Sequence, residues 1–334
     1  MAYRQNQQGD KKQKDIYGTV FTPLFVVKET VNLAFRYAPR VDPTTLTWID
    51  SSCGNGNFLE IVYRCLMKFK NRIPDLAKRS REILTKRLYG IEILKHEWQA
   101  ACDRLLALDK KHGGTVTQDE LLVYWGNTLK VPEDTFAVAE GMEGVEGDLL
   151  PEEIRNMKWD VHIGNPPYLH CRNLENRRYF HYPKIRDHSQ LFVWWSLDHM
   201  TERGVVSLNT ADAWCNTKVC DGASLTRKKI MGRLREIKQS HEIETYSKGN
   251  GGDMATMVIC LSNERPDNTP TVNNKPSNKD ITKPGYLKTA PPLPFPWISA
   301  AKYGPVKGNR SKNRFGTHTK FWKSFIYLKD EGKE

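Results

Sequence analysis

Seven short apolar runs, interleaved with stretches of helical spacing, limit the fold of this chain more than any other feature. LTWID (46–50), KRLYGIEIL (86–94), LLVYWGNTL (121–129), WDVHIG (159–164), GVVSLNT (204–210), HEIETYS (241–247) and ATMVICL (255–261) read as strands. After Thr22-Pro23, apolar residues recur near helical spacing at Phe25, Val26, Val27, Val31, Leu33 and Ala34. Thr22 suits a helix cap and Pro23 the first turn. Further helices are predicted from about Leu59 to Phe69, up to about Leu108, over 190–203, and from Leu225 to Lys238, the last of them basic. Strands alternating with helices imply an α/β fold with a doubly wound, parallel sheet.

The 334 residues suffice for one large α/β domain and an appendage. The composition changes after Ser262. Residues 264–296 hold eight of the 18 prolines, and 297–329 combine aromatics with Lys302, Lys307, Arg310, Lys312 and Arg314. The expected division is a catalytic domain over 1–262 and a Pro-rich, basic and aromatic region over 263–334 that serves recognition. No apolar stretch approaches the roughly 20 residues that span a bilayer, and the polar N-terminus lacks a secretory core. The expectation is a cytoplasmic protein of a bacterial or phage-infected cell, with no membrane partner. Seven cysteines are scattered without a C-x-x-C pair or a zinc pattern, so no metal site is expected. A net charge of +12 favours a polyanionic partner.

Two strand ends carry unusual chemistry. After LTWID comes SSCGNGNF, in which Gly54 and Gly56 allow a tight turn and a close backbone approach to a ligand at a helix N-terminus. A plain strand-to-helix connection has the same form. Glu92 interrupts the apolar run YGIEIL at the tip of the second strand, where a nucleotide fold binds ribose hydroxyls. The fourth strand ends in Gly164 and then Asn165-Pro166-Pro167-Tyr168. Neither proline can donate to a sheet ladder, so a buried strand stops at a rigid corner bearing one amide and one aromatic ring.

Phe21-Thr22-Pro23, then Asp50-x-x-Cys53-Gly54-x-Gly56-Asn57-Phe58, then Glu92, then Asn165-Pro166-Pro167-Tyr168 resemble the amino-methyltransferases of DNA. In motif order the chain is similar to their γ class, the N6-adenine enzymes, over about residues 16–262. The resemblance implies a Rossmann-like S-adenosylmethionine-dependent methyltransferase fold: a seven-stranded, mostly parallel sheet with helices on both faces and a small C-terminal extension. It implies S-adenosylmethionine as cofactor, with Asp50 and the Gly54–Gly56 turn facing the methionine part, helped by Thr22 and Pro23. Glu92 would hold the ribose. Asn127 stands where the family usually has Asp, and its side-chain oxygen can accept from the adenine amine of the cofactor. Phe192 matches an aromatic that packs on that adenine, or is an ordinary core residue.

The corner also suits its implied chemistry. An exocyclic amine is a poor nucleophile, because its lone pair is delocalised into the base. Two acceptors along its N–H bonds, the Asn165 oxygen and the Pro166 carbonyl, would draw it toward tetrahedral geometry and stabilise developing positive charge. Tyr168 offers a stacking face worth roughly 1–3 kcal/mol. A base in a duplex must first flip out. The following segment, with Arg172, Arg177, Arg178, Tyr179, Tyr182, Lys184 and Arg186, suits a phosphate-and-base surface. Tyr246 is the nearest candidate for a second stacking partner, and Lys312 and Arg314 extend the basic surface.

The expected function is a site-specific adenine methyltransferase acting on double-stranded DNA, with a cognate restriction endonuclease as a candidate partner. The alternatives are methylation of the cytosine amine in DNA, whose enzymes more often carry Ser in place of Asn165, amine methylation of guanine in ribosomal RNA, methylation of protein glutamine, or a non-enzymatic nucleic-acid-binding module. Recognition is expected from 263–334, the insertion at 131–157 and the 169–187 loop. Glu236-Ile237-Lys238 forms an E-x-K triplet, read as a surface feature of the basic helix rather than a nuclease.

Overall fold

The computed structural model describes residues 22–134, 143–168, 182, 185, 187–216, 222–240, 256–264, 270–272 and 275–276. All of these fall in the first of two units, 1–292 and 293–334. Helix α1 (Leu24–Tyr37) leads into β1 (Trp48–Asp50), α2 (Asn57–Leu66), α3 (Leu76–Lys86), β2 (Leu88–Glu92), α4 (Lys95–Lys111) and β3 (Val123–Trp125). Then come α5 (Glu152–Arg155), β4 (Trp159–Gly164), α6 (His188–Asp198), β5 (Met200–Ala211), α7 (Ala213–Asn216) and α8 (Ala223–Ile230). The last strands are β6 (Leu234–Ser240), β7 (Thr256–Ser262), β8 (Thr271–Val272) and β9 (Lys275–Pro276).

One sheet runs in the order β3-β2-β1-β4-β5-β7-β6-β8-β9. The strands from β3 through β5 pair in parallel, whereas β7 is antiparallel to both β5 and β6. The seven principal strands are those of a Rossmann-like methyltransferase sheet. Two more, of two residues each, continue it past Ser262, where β8 pairs with β6.

Alternating side chains divide the core between the two faces. Val205 of β5 and Val258 and Cys260 of β7 pack with Val26 and Leu33 of α1. Val206, Leu208, Met257 and Ile259 turn the other way and pack with Val193, Trp214 and Ile230 from α6, α7 and α8. A third cluster joins Ile49, Ile91 and Trp159 to Leu150, Leu191, Phe192 and Trp195. Asp75 and Asp187 cap α3 and α6 by accepting from the Lys78 and Gln190 amides at 2.7 and 3.0 Å. No helix among the described residues is long and apolar enough to cross a membrane.

The structure corrects three local expectations. The helix read as 225–238 ends at Ile230, because Gly232 turns the chain with φ of +80°. Residues 234–240 form β6 instead, and 241–247 lies outside the described residues. The E-x-K triplet is therefore buried on a strand rather than solvated. Glu236 accepts from Arg36 Nη1 at 2.8 Å and from Tyr37 Oη at 2.9 Å, and Lys238 pairs with Glu29. Paired in this way, the charges tie α1 to β6. Thr22, finally, does not cap α1. Pro23 occupies that position without a side-chain hydrogen bond, and the Thr22 hydroxyl is used elsewhere.

Candidate active site

Parallel strands bring their carboxyl ends to one edge, where open α/β sheets bind ligands. Asp50 ends β1, Glu92 ends β2 and Gly164 ends β4. Asp50 pairs in register with Gly90 on one side and Ile163 on the other. Its carboxylate is fully buried. Oδ1 accepts from the Ser52 amide at 3.1 Å, and Oδ2 meets no hydrogen-bond partner. Burial pushes its pKa up to about 8, opposed by the Ser52 amide and reinforced by Glu92. Gly164 makes room for this acid: a Cβ there would lie 2.6 Å from Asp50 Oδ1, and φ is +146°.

The glycine turn and Glu92 form one unit. Gly54 and Gly56 have φ of +51° and +84°. The Gly54 amide donates to Glu92 Oε2 at 2.8 Å, and the Leu94 amide donates to Oε1 at 2.9 Å. Burial lifts the Glu92 pKa to about 7 against the pull of those two amides. Cys53 and Phe58 are buried beside the turn, and the Asn57 Oδ1 accepts from Arg104 at 2.7 Å. The Cys53 thiol is held well above its ordinary range by burial and by the neighbouring Asp50 and Glu92, which disfavours a nucleophilic thiolate.

Asn127 is buried beyond β3, but its amide is oriented differently from the expectation. Oδ1 accepts from the Leu129 amide at 3.1 Å in a local turn, which leaves Nδ2, a donor, without a partner. The insertion is fixed to the sheet at one end. Its returning part, residues 145–149, is stitched to the ends of β2 and β3. The Lys95 amide donates to Val145 O at 2.9 Å, Gly147 to Ile93 O at 2.6 Å and Asn127 to Asp148 O at 2.7 Å. Leu94 bridges Glu146 and Asn127 bridges Leu149. This part of 131–157 is a wall beside Glu92 and Asn127. Nothing in its sequence alternates like a strand, so its placement had no sequence signal.

The corner after β4 is held by side chains. Asn165 Nδ2 donates to Thr22 Oγ1 at 2.8 Å, and Asn165 Oδ1 accepts from Asn209 Nδ2 at 3.0 Å and from the Tyr168 hydroxyl. Asn209 Nδ2 also donates to Tyr168 Oη at 2.7 Å. Pro166 is buried, and Pro167 and Tyr168 are partly so. Thus Thr22, Asn165 and Tyr168 meet at one point, and Pro23 follows at the start of α1. Phe192 is buried in the cluster with Ile49, Ile91 and Trp159. Asn209 escaped the sequence reading. Its signal was a run of polar residues, Ser207, Asn209 and Thr210, fully buried at the end of an apolar strand. Tyr182, expected on the nucleic-acid surface, is instead buried in the same cluster as Phe192, its hydroxyl donating to Asp198 Oδ2 at 3.0 Å. Phe21, Arg172, Arg177, Arg178, Tyr179, Lys184, Arg186, Tyr246, Lys312 and Arg314 lie outside the described residues.

A family model described as Eco57I restriction-modification methylase matches residues 75–245, just over half of the chain. The chain belongs to the Eco57I restriction-modification methylase family. The matched span carries Glu92, Asn127, Asn165, Tyr168 and Asn209, and membership bears out the resemblance read from the motifs. No match to this chain was found among the curated proteins. Among solved structures, the DrdV–DNA complex aligns with a TM-score of 0.53 at 16% identity, over 78% of this chain and 28% of that one. The ATP-dependent Type ISP restriction-modification enzyme LlaBIII bound to DNA gives 0.52 at 16%, over 77% and 19%. A modification subunit assigned to a type I restriction enzyme from Vibrio vulnificus YJ016 gives 0.51 at 12%, over 83% and 52%. These likenesses establish the shared fold. The Eco57I-family chain spans about half the length of the last and less of the other two.

Proposed function

We propose that this chain transfers a methyl group from S-adenosylmethionine to the exocyclic amine of an adenine flipped out of duplex DNA. The observation that carries the reading is the Asn165 corner, its amide fixed at a rigid turn on the same sheet edge as Asp50 and Glu92. The residues present fit the cofactor. Asp50 Oδ2 and Asn127 Nδ2 are buried polar atoms without partners, and the open φ-positive turn at Gly54 has nothing within 4 Å of its Cβ direction. Asp50 and the turn would hold the methionine end and Glu92 the ribose hydroxyls. Asn127 Nδ2 would donate to a ring nitrogen of the adenine. Bound there, the cofactor supplies a methyl group on positively charged sulfur.

The chain's own contribution is positioning and dipoles. Asn165 Oδ1 and the Pro166 carbonyl accept from the two N–H bonds of the target amine, so its lone pair turns outward as positive charge develops. The Tyr168 ring stacks on the base, and the amine proton leaves to water. The basic balance of +12 and the Arg- and Tyr-rich segment from Arg172 to Arg186 support a nucleic-acid substrate. Membership in a restriction-modification family supports DNA as that substrate and a restriction partner.

Incubation with methyl-labelled S-adenosylmethionine and unmethylated plasmid DNA, followed by nucleoside analysis, tests this. Label in N6-methyladenine is expected. Label in cytosine or protein, or transfer to RNA alone, overturns it.

Cofactor affinity should also depend on pH through Glu92. Ribose hydroxyls donate to the ionised carboxylate, so binding lowers its pKa from the free value of about 7. Affinity for S-adenosylhomocysteine therefore rises with pH through that value, weakening up to about tenfold per unit below it, and the ionisation of Asp50 at about 8 extends the rise. Calorimetric titration between pH 6 and 8.5 measures this. The Glu92→Gln variant should bind weakly and lose the step near pH 7, keeping the one that belongs to Asp50.

A further inference from the structure

The Asn165 amide has a defined sense only because its two ends meet opposite partners. Thr22 Oγ1 accepts from Nδ2 at 2.8 Å, while Asn209 Nδ2 donates to Oδ1 at 3.0 Å. A 180° flip of Asn165 would set its Nδ2 against Asn209 Nδ2, two donors facing each other. Asn209 is itself fully buried, one residue past Leu208, which pairs with Gly164 in the β4–β5 ladder. It also pairs with Val258 of the antiparallel β7. Asn209 thus stands one residue past the β4–β5 ladder, with its backbone still in register with β7.

Resting on the proposed amine methylation, we infer that Asn209 is a positioning residue for transfer: its side-chain amide fixes the Asn165 oxygen toward the target amine. The carbonyl oxygen has two lone pairs, which Asn209 and the Tyr168 hydroxyl occupy. A target amine reaches Oδ1 by replacing the Tyr168 hydroxyl. The Asn209 bond stays and keeps the acceptor aimed while the Tyr168 ring becomes free to stack. At the other end, the Thr22 oxygen accepts from Nδ2 and so strengthens Oδ1 as an acceptor.

Two substitutions test this. Asn209→Ala removes the donor. Asn209→Asp keeps the size but can donate only when its carboxyl is protonated, and a buried carboxyl beside carbonyl oxygens titrates above its ordinary range. Single-turnover transfer from methyl-labelled S-adenosylmethionine to unmethylated plasmid DNA is measured at saturating cofactor between pH 5.5 and 8.5. The dissociation constants for S-adenosylhomocysteine and for the DNA are measured alongside, and cofactor binding also reports folding. Asn209→Ala should lower the transfer rate about a hundredfold, as expected for an ångström-scale misplacement, with both constants changed less than about threefold. Asn209→Asp should be as slow at pH 8.5 and recover, relative to wild type at the same pH, as pH falls. A wild-type rate in Asn209→Ala, or a pH-independent defect in an Asn209→Asp protein that still binds S-adenosylhomocysteine, overturns the assignment. Failure of the wild type to methylate adenine overturns instead the reading on which it rests.

Discussion

Replacing Asn165 with alanine should lower the single-turnover rate of methyl transfer by about 10²–10³-fold, the range found when one preorganised dipole at a developing charge is removed. The magnitude follows from its position. The amide lies next to the buried Pro166 and is fixed by Thr22 at 2.8 Å and Asn209 at 3.0 Å, so it needs no reorganisation as the amine becomes positive. Truncation removes that acceptor and both orienting bonds, at a stability cost of about 1–3 kcal/mol. Affinity for S-adenosylhomocysteine should change little, because Asp50, the glycine turn and Glu92 are untouched. Rate measurements well below the melting temperature separate the chemical defect from the structural one. A rate within about fivefold of wild type contradicts the role given to this amide.

Gly147→Ala should weaken cofactor binding by roughly tenfold or more while leaving DNA affinity nearly unchanged. A Cβ at residue 147 would sit 2.6 Å from Gly126 N, 2.7 Å from Gly126 Cα and 2.9 Å from Trp125 Cδ1. Backbone on both sides is already engaged. Gly126 N donates to Glu92 O at 2.9 Å, and Asn127 N donates to Asp148 O at 2.7 Å. The crossing must open, displacing Ile93 and Asn127 beside the expected cofactor site. Overpacking of this kind costs about 1–3 kcal/mol, equivalent to a fall of a few degrees in melting temperature. Titrations with S-adenosylhomocysteine and with a DNA fragment measure the two affinities. A loss confined to DNA would return the 145–149 segment to target recognition.

The sequence revealed the fold where burial leaves a compositional trace. WID, LYGIE, WDVHIG and MVICL are covered on both faces and therefore read as continuous apolar runs. The acidic and glycine strand ends stood out because they interrupt such runs. β6 did not, because Arg235, Glu236 and Lys238 carry charge into a buried strand that is neutralised by Arg36 and Glu29, residues some 200 positions away in the chain. Local periodicity cannot anticipate that pairing, so the segment read as a solvated helix. The reversed direction of β7 was likewise invisible, since alternation fixes a strand's faces but not its polarity in the sheet. At the site, Asn165 and Tyr168 were legible as a rigid corner. Asn209 was not, because an amide at a strand end has no meaning until β5 lies beside β4. Thr22 was read as a helix cap, a role its residue type fits, whereas its hydroxyl serves an amide 143 residues away.

The most direct test of the account is a crystal structure of the chain with S-adenosylhomocysteine bound, from which one distance is read. Asn165 Oδ1 should lie within about 7 Å of the ligand sulfur, the span left when an amine sits about 3–3.5 Å from a methyl carbon and about 3 Å from its acceptor. A separation above about 10 Å, or a ligand bound away from Asp50 and Glu92, contradicts it.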